Sequence, residues 1–225
     1  MDEPNLTRRV PGHRDSEATR SALLGAAVEI FARDGFDGAT VGAIAGRAGV
    51  NRAMISYHFG GKRGLYAAAL MADIESMMAP VATLRASSRP ARERLETFVN
   101  VFGELHLRRP SLAILFLREI LDGGARLEET ALPRFVVVFT TLREIVEQGV
   151  ADGTFRRVDP FLTHQTIVGS LLFFFASRPF RDRMIRSGRV PVDVAPDPES
   201  YVALVRELVV RGLDAQGGEA ARGES

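Results

Sequence analysis

The chain has 225 residues, 46% of them hydrophobic, enough to bury one large core or a small domain joined to a larger one. A formal net charge of +1 excludes a polybasic protein held to nucleic acid by bulk charge, but not a local basic patch. With no cysteine, disulfides and thiolate chemistry are excluded, and a reducing compartment fits.

The start, MDEPNLTRRVPGHRD, is polar and carries no apolar signal segment. Residues 1–14 are expected to form a flexible arm. Arg8, Arg9 and Arg14 leave two readings open there, an arm reaching a minor groove or a solvated tail, with the tail favoured. Asp15 or Ser16 can cap a first helix with an apolar face of Leu23, Leu24, Ala27, Ile30 and Phe31, ending at RDGFDG. Thr40 can cap a second helix that stops at Gly49. Asn51 can cap a third ending at Gly60-Gly61, and a fourth runs from Lys62 toward Pro80.

After RASSRPAR breaks the pattern, helices are predicted over about 90–108, 110–122, 127–150, 160–177 and 198–213. Asp159-Pro160 and Asp197-Pro198 each place a capping carboxylate before a proline at the first helical position. Residues 178–197 hold three prolines and read as a long connection with one helical turn near 180–187. The most apolar run, Ile167 to Ala176, is about half of the roughly 20 residues that a bilayer span needs, so a soluble cytoplasmic protein is expected. No segment alternates as a strand. The expected fold class is all-α: a helix-turn-helix domain over 15–61, a larger bundle over 62–214 and a disordered tail over 215–225.

The stretch TVGAIAGRAGVNRAMISYHF, residues 40–59, carries most of the information. Two short helices that cross steeply need small residues and a tight turn, supplied by Ala45 and Gly49. Ile44, Ala48, Val50, Ile55 and Phe59 take the inward positions. Asn51, Arg52, Ser56, Tyr57 and His58 furnish the other face of a helix short enough to enter a major groove, and Ala53 lets its backbone approach the bases. A packed α-hairpin would explain Ala45, Gly49 and Ile55, but not so polar an outward face.

Residues 16–70 resemble the DNA-binding domain of the tetracycline-repressor (TetR) family over about a quarter of the chain. That family commonly reads F-x-x-x-G-[FY], then T, then I-A-x-x-A-G-V, then a recognition helix closing on H-F or Y-F, then a lysine and L-[FY]. The counterparts are Phe31, Gly35, Phe36, Thr40, Ile44, Ala45, Ala48, Gly49, Val50, His58, Phe59, Lys62, Leu65 and Tyr66. Two departures from the pattern stand out. Ile55-Ser56 stands where Leu-Tyr is frequent, and Asn51 where Ser or Thr is frequent.

The resemblance implies a homodimeric, ligand-responsive regulator, usually a repressor, on a near-palindromic duplex operator. Thr40 and Lys62 would hold phosphates, and Arg52 would read a base edge. Asn51, Ala53, Met54 and Ser56 would line the groove, with Tyr57 and His58 on the backbone or adjoining bases. Packing in the domain's own core is the competing role for Met54, Tyr57 and His58.

The larger half would dimerise and sense. Dimer contacts are expected from Phe161, Val168, Leu171 and Leu172 and from Tyr201, Leu204, Val205 and Leu208, with Gly169 and Ser170 allowing close helix approach. An internal core is the competing role for the same faces. For a hydrophobic, aromatic or fatty effector the candidates are Phe98, Phe102, Phe116, Phe139 and Phe173, with His106, Glu119, Arg143 and His164 as polar anchors. Phe-rich helices are more often ordinary core than pocket lining. A shift of the fourth helix would carry the signal.

Chemistry is otherwise sparse. Gly-Gly-Lys at 60–62 holds the chain's single lysine but fails as a phosphate loop, because Ser56 and Arg63 replace the required Gly and Ser/Thr. No G-x-S-x-G, G-x-G-x-x-G or histidine pair at metal-ligand spacing occurs, so neither an enzyme nor a cofactor nor a metal is expected. The alternative function is a helical protein-interaction adaptor with the same fold and no effector or DNA role.

Overall fold

The computed structural model describes residues 13–127, 131–189 and 197–215. Most of the expected arm, the tail from 216 and part of the proline-rich connection lie outside them. Ten helices order these residues: α1 His13–Gly38, α2 Val41–Ala48, α3 Ala53–Phe59, α4 Lys62–Arg85, α5 Ala91–Arg108, α6 Pro110–Leu121, α7 Leu132–Ala151, α8 Pro160–Ala176, α9 Arg178–Arg186 and α10 Pro198–Leu213. Among the described residues there is no strand, only an isolated bridge between Phe155 and Asp214. The described residues divide into two compact units, one up to Ala69 and the other from Leu70 onward.

In the first unit α1 starts at His13, so it takes in the last residues of the expected arm. Asp15 lies in the first turn instead of capping it, where its carboxylate still meets the positive helix end. The expected inward face is buried: Leu23, Leu24, Ala27, Ile30 and Phe31. The helix does not end at the first glycine of RDGFDG. Gly35 takes φ 74° and ψ 176°, a conformation glycine adopts at little cost, and a second helical piece carries on to Gly38.

The first unit runs to Ala69, past the expected boundary at 61. Tyr66, one turn into α4, sets its ring edge-on to Phe31 at 4.9 Å and to Phe36 at 5.2 Å, tying α4 to α1. Gly64 is required nearby, because a Cβ there would lie 1.9 Å from the Phe59 carbonyl oxygen.

The second unit packs α5 against α6, α7, α8 and α10. Its core joins Met77, Val81 and Leu84 of α4 to Leu95, Phe98 and Val99, Leu142 and Ile145, Ile167 and Leu171, and Val205 and Val209. α4 is also the one described helix with the length and composition to cross a bilayer, yet these apolar side chains are buried against other helices. It continues through Pro80 to Arg85. Asp159 and Asp197 cap as expected. Asp159 Oδ1 accepts from Phe161 N at 2.7 Å and Leu162 N at 3.0 Å, and Asp197 Oδ2 accepts from Ser200 N at 2.8 Å.

Two helices differ from expectation. α7 begins at Leu132, not 127. The buried Glu119 carboxylate accepts from the backbone N–H groups of Arg126 (2.6 Å) and Leu127 (3.2 Å) and holds that stretch as a turn. α9 is a nine-residue helix where one turn was expected. Gly149 closes the fold's tightest approach in this unit: a Cβ would lie 2.0 Å from the Phe155 ring.

Candidate nucleic-acid interface

Local chemistry sets the α2–α3 hairpin. Thr40 is extended (φ −111°, ψ 146°), and its Oγ1 accepts from Ala43 N at 3.1 Å. Gly49 turns left-handed at φ 69°, donating to Gly46 O, while Val50 N donates to Ala45 O at 3.0 Å. The side-chain oxygen of Asn51 accepts from Ala53 N at 2.9 Å and closes the first turn of α3. Gly60, at φ 70°, ends it.

Ile44, Ala45 and Ile55 are buried where the two helices meet, and Ala48, Val50 and Phe59 are half-buried. This anchorage leaves Asn51, Arg52, Ala53, Ser56 and Tyr57 exposed on one short helix, Tyr57 at 76%. The Arg52 guanidinium has no partner among the described residues, so its fork is available to an incoming acceptor. Thr40 is exposed beside the α2 N-terminus. Its oxygen serves the cap, and its hydroxyl hydrogen remains for a phosphate.

Three residues sit differently from expectation. Met54 is half-buried at the side of the exposed face. His58 turns inward: its Nε2 is buried without a partner among the described residues, and its ring lies 4.9 Å from Tyr57 and 6.0 Å from Phe59. A nitrogen so enclosed cannot reach a DNA backbone without a rotamer change. Lys62 is half-buried, and its ammonium donates to Asp37 O at 3.3 Å. Sequence reasoning missed Gly64, although a glycine directly after Lys-Arg at a helix start was the available signal.

The second unit sorts the effector candidates into groups. Phe98 and Phe102 pair at 5.0 Å in the core, and Phe116 is half-buried against it. His106, 3% exposed, lies 5.5 Å from the Phe175 ring. Its Nδ1 has no partner among the described residues, and desolvation lowers its pKa from 6.5 to about 4. Phe139 sets its edge to Phe161 at 5.9 Å and to His164 at 5.6 Å. Burial lowers the His164 pKa against a smaller raising effect from Gln165.

Three candidates do not line an interior site. Glu119 is committed to the 126–127 turn. Arg143 faces outward on α7 beside Glu147. Phe173 is 67% exposed on α8. Of the expected dimer residues, Leu171, Leu172 and Val205 are core: Leu171 shares a face with Ile167 and Val205 with Val209, and Leu172 is buried in the same cluster. Val168 and Tyr201 are half-buried, Tyr201 stacked on Phe174 at 3.8 Å. Phe161, Leu162, Leu204 and Leu208 are exposed. Leu162, Thr166, Gly169 and Phe173 follow the three-and-four spacing of one α8 stripe, and Leu204, Leu208 and Gly212 that of α10. Between the two helices lies a cleft of about 430 Å³ lined by Leu162, Thr163, Thr166, Leu208 and Gly212.

A polar recognition helix held by a tight three-helix unit, followed by a separate helical bundle, defines a helix-turn-helix regulator of transcription. Comparison with known proteins agrees. Residues 23–69 match the model for bacterial regulatory proteins of the tetR family, and residues 88–173 match a tetracyclin repressor-like C-terminal domain. The chain belongs to the tetR family.

Among its relatives is the HTH-type transcriptional repressor NicS of Pseudomonas putida, 29% identical over 205 residues, spanning 89% of this chain and 94% of that one. The HTH-type transcriptional regulator RutR of Escherichia coli K12 is 26% identical over 147 residues, 65% of this chain and 69% of RutR. The fold is shared with the transcriptional regulator FadR from Bacillus subtilis, solved in complex with stearoyl-CoA (TM-score 0.67, 21% identity, 86% of this chain and 98% of that one).

Proposed function

We propose that the protein is a homodimeric repressor that reads a near-palindromic operator with α3 and is released by a small hydrophobic effector. The observation that carries the reading is the exposed face of α3. Asn51, Arg52, Ser56 and Tyr57 stand outward on a helix whose opposite side is fixed by Ile55. Arg52 takes a guanine edge, Asn51, Ala53 and Ser56 line the groove beside it, and Met54 reaches its margin. Thr40 and the adjacent α2 N-terminus hold one phosphate, Lys62 a second, and Tyr57 packs on the sugar-phosphate backbone.

One short helix makes few base contacts, so two copies must act together. The exposed stripes of α8 and α10, carrying Leu162, Phe173, Leu204 and Leu208, provide an apolar surface for the second copy, with Phe161 exposed beside them. The effector enters the bundle among Phe98, Phe102, Phe116 and Phe175, where the unpartnered Nδ1 of His106 supplies a polar anchor. That the fold neighbour FadR holds stearoyl-CoA supports an apolar effector. α4 contributes residues to both units along one continuous helix, so a ligand that favours one setting of α4 lowers the affinity of two recognition helices for fixed half-sites.

Selection of bound duplexes from a random pool tests the reading directly. The expected result is one motif with two-fold symmetry. Recovery of no common motif returns the chain to a helical adaptor.

A further inference from the structure

Helix α9 and the three residues after it read RPFRDRMIRSGR, five arginines to one aspartate in a chain whose formal net charge is +1. α9 buries none of its residues. It is tethered to α8 by Arg181, whose Nη1 donates to Phe174 O at 2.8 Å and whose guanidinium lies 4.0 Å over the Phe174 ring. Arg178 pairs with Asp182 at 3.6 Å. The guanidinium groups of Arg183, Arg186 and Arg189 are exposed and have no partner among the described residues. Phe180 and Met184, one turn apart, are 66% and 39% exposed. Arginine therefore fills one side of the helix, while an aromatic ring and a thioether stand uncovered on the next.

We propose that α9 docks on an anionic phospholipid surface. Charge complementarity selects a polyanion, and the planar arginine fork suits phosphate oxygens. The apolar strip selects among polyanions. A duplex backbone uses the cations, but would seat Phe180 and Met184 only by prising base steps apart. The boundary between headgroups and acyl chains takes both, with arginines in the headgroups and the two apolar side chains a few ångströms deeper. A protein groove reads a helix through anchors repeated over two turns or more. α9 offers Phe180 and Met184 alone, since Arg181 and Ile185 face its tether. Near an anionic surface each arginine strengthens binding roughly fivefold, so the three unpartnered ones together give about a hundredfold preference over a neutral bilayer.

The test is flotation of the full-length protein with vesicles of pure phosphatidylcholine and of phosphatidylcholine containing phosphatidylglycerol. Duplex-DNA affinity and sedimentation equilibrium without lipid are measured on the same samples. The wild type is expected on the anionic vesicles only and to leave them at high salt. Arg183→Glu with Arg186→Glu is expected to abolish that binding, and Phe180→Ser with Met184→Ser to weaken it at least fivefold. Both double variants should keep the wild-type mass and DNA affinity. Equal partition to both vesicle types, or unchanged binding of either variant, overturns the proposal. If the arginine variant loses DNA and vesicles alike while the apolar variant loses neither, α9 is a nucleic-acid contact and the proposal fails. If either variant changes the equilibrium mass, α9 lies between copies of the chain, and it fails equally.

Discussion

The Lys62 ammonium stands 4.7 Å from the centre of the Phe36 ring. Phe36 in turn meets Tyr66, so the chain's single lysine closes an aromatic cluster that joins the end of α1 to the start of α4. One of its three donors is spent on Asp37 O, which leaves two for a phosphate. Lys62→Ala is therefore expected to act twice. It should lower affinity for specific and random duplexes alike and flatten the salt slope by about one unit. It should also lower stability by about 1 kcal/mol through the lost cation–π contact and hydrogen bond. Anisotropy titrations over a salt series, with denaturant unfolding of the same protein, check both; an unchanged salt slope removes the phosphate role.

Arg52 behaves differently because nothing in the fold uses its guanidinium. Arg52→Ala is expected to cost about 1–3 kcal/mol on the selected operator, to relax preference at one base pair per half-site, and to leave the unfolding midpoint unchanged. Competition between the operator and single-base variants measures this. Equal losses on every sequence would assign Arg52 to the backbone.

Gly64 is a steric requirement. Gly64→Ala places a methyl group against a backbone carbonyl that cannot swing aside, and should destabilise the first unit by about 1–3 kcal/mol. Gly25→Ala is the control. That position is exposed on α1 with open space around it, so stability should rise by about 0.5–1 kcal/mol. Thermal unfolding of the two variants should move in opposite directions.

Burial of His106 makes the second unit sensitive to acid. Above pH 6.5 the imidazole is neutral in the folded and unfolded chains, and its titration contributes nothing to pH dependence. As pH falls below 6.5 the unfolded chain binds the proton, while the folded chain resists until about 4. Stability is thus lost as pH falls through that window, by about 3 kcal/mol in all. His106→Gln should flatten the corresponding part of a stability–pH curve from urea titrations. A curve identical to wild type would mean that the ring is solvated in solution.

Leu208 is 61% exposed on the α10 stripe, so changing it leaves the core intact. Leu208→Glu is expected to yield a folded monomer by sedimentation equilibrium and to weaken operator binding by at least about thirtyfold, the scale of one interface hot spot. A variant that remains dimeric moves the interface off α8 and α10.

Residues whose roles are set within a few positions of themselves were legible in the sequence. Thr40, Gly49, Gly60, Asp159 and Asp197 are caps or stops fixed by their own backbone. Facing was harder to read, because it depends on which neighbour arrives. Phe173 belongs by composition with the aromatic residues of an interior, yet Ile167, Leu171 and Phe175 claim the inward side of α8 and leave it outside. Glu119 reads as a ligand anchor because nothing local in the sequence shows that the turn at 126–127 needs its carboxylate. Helical spacing places His58 outward, yet its Nε2 is buried without a partner among the described residues.

Gly169 and Gly212 each have open space where a Cβ would stand, on the two stripes that would face a second copy. A side chain added at either position would project as a bump without disturbing the protomer. Two bumped copies would collide, whereas a bumped copy and one with a trimmed Leu162 or Leu208 would still close. In the proposed dimer these two glycines would be the sites at which the regulator could be made to pair only with a chosen mate, giving operators with two unlike halves a dedicated heterodimer.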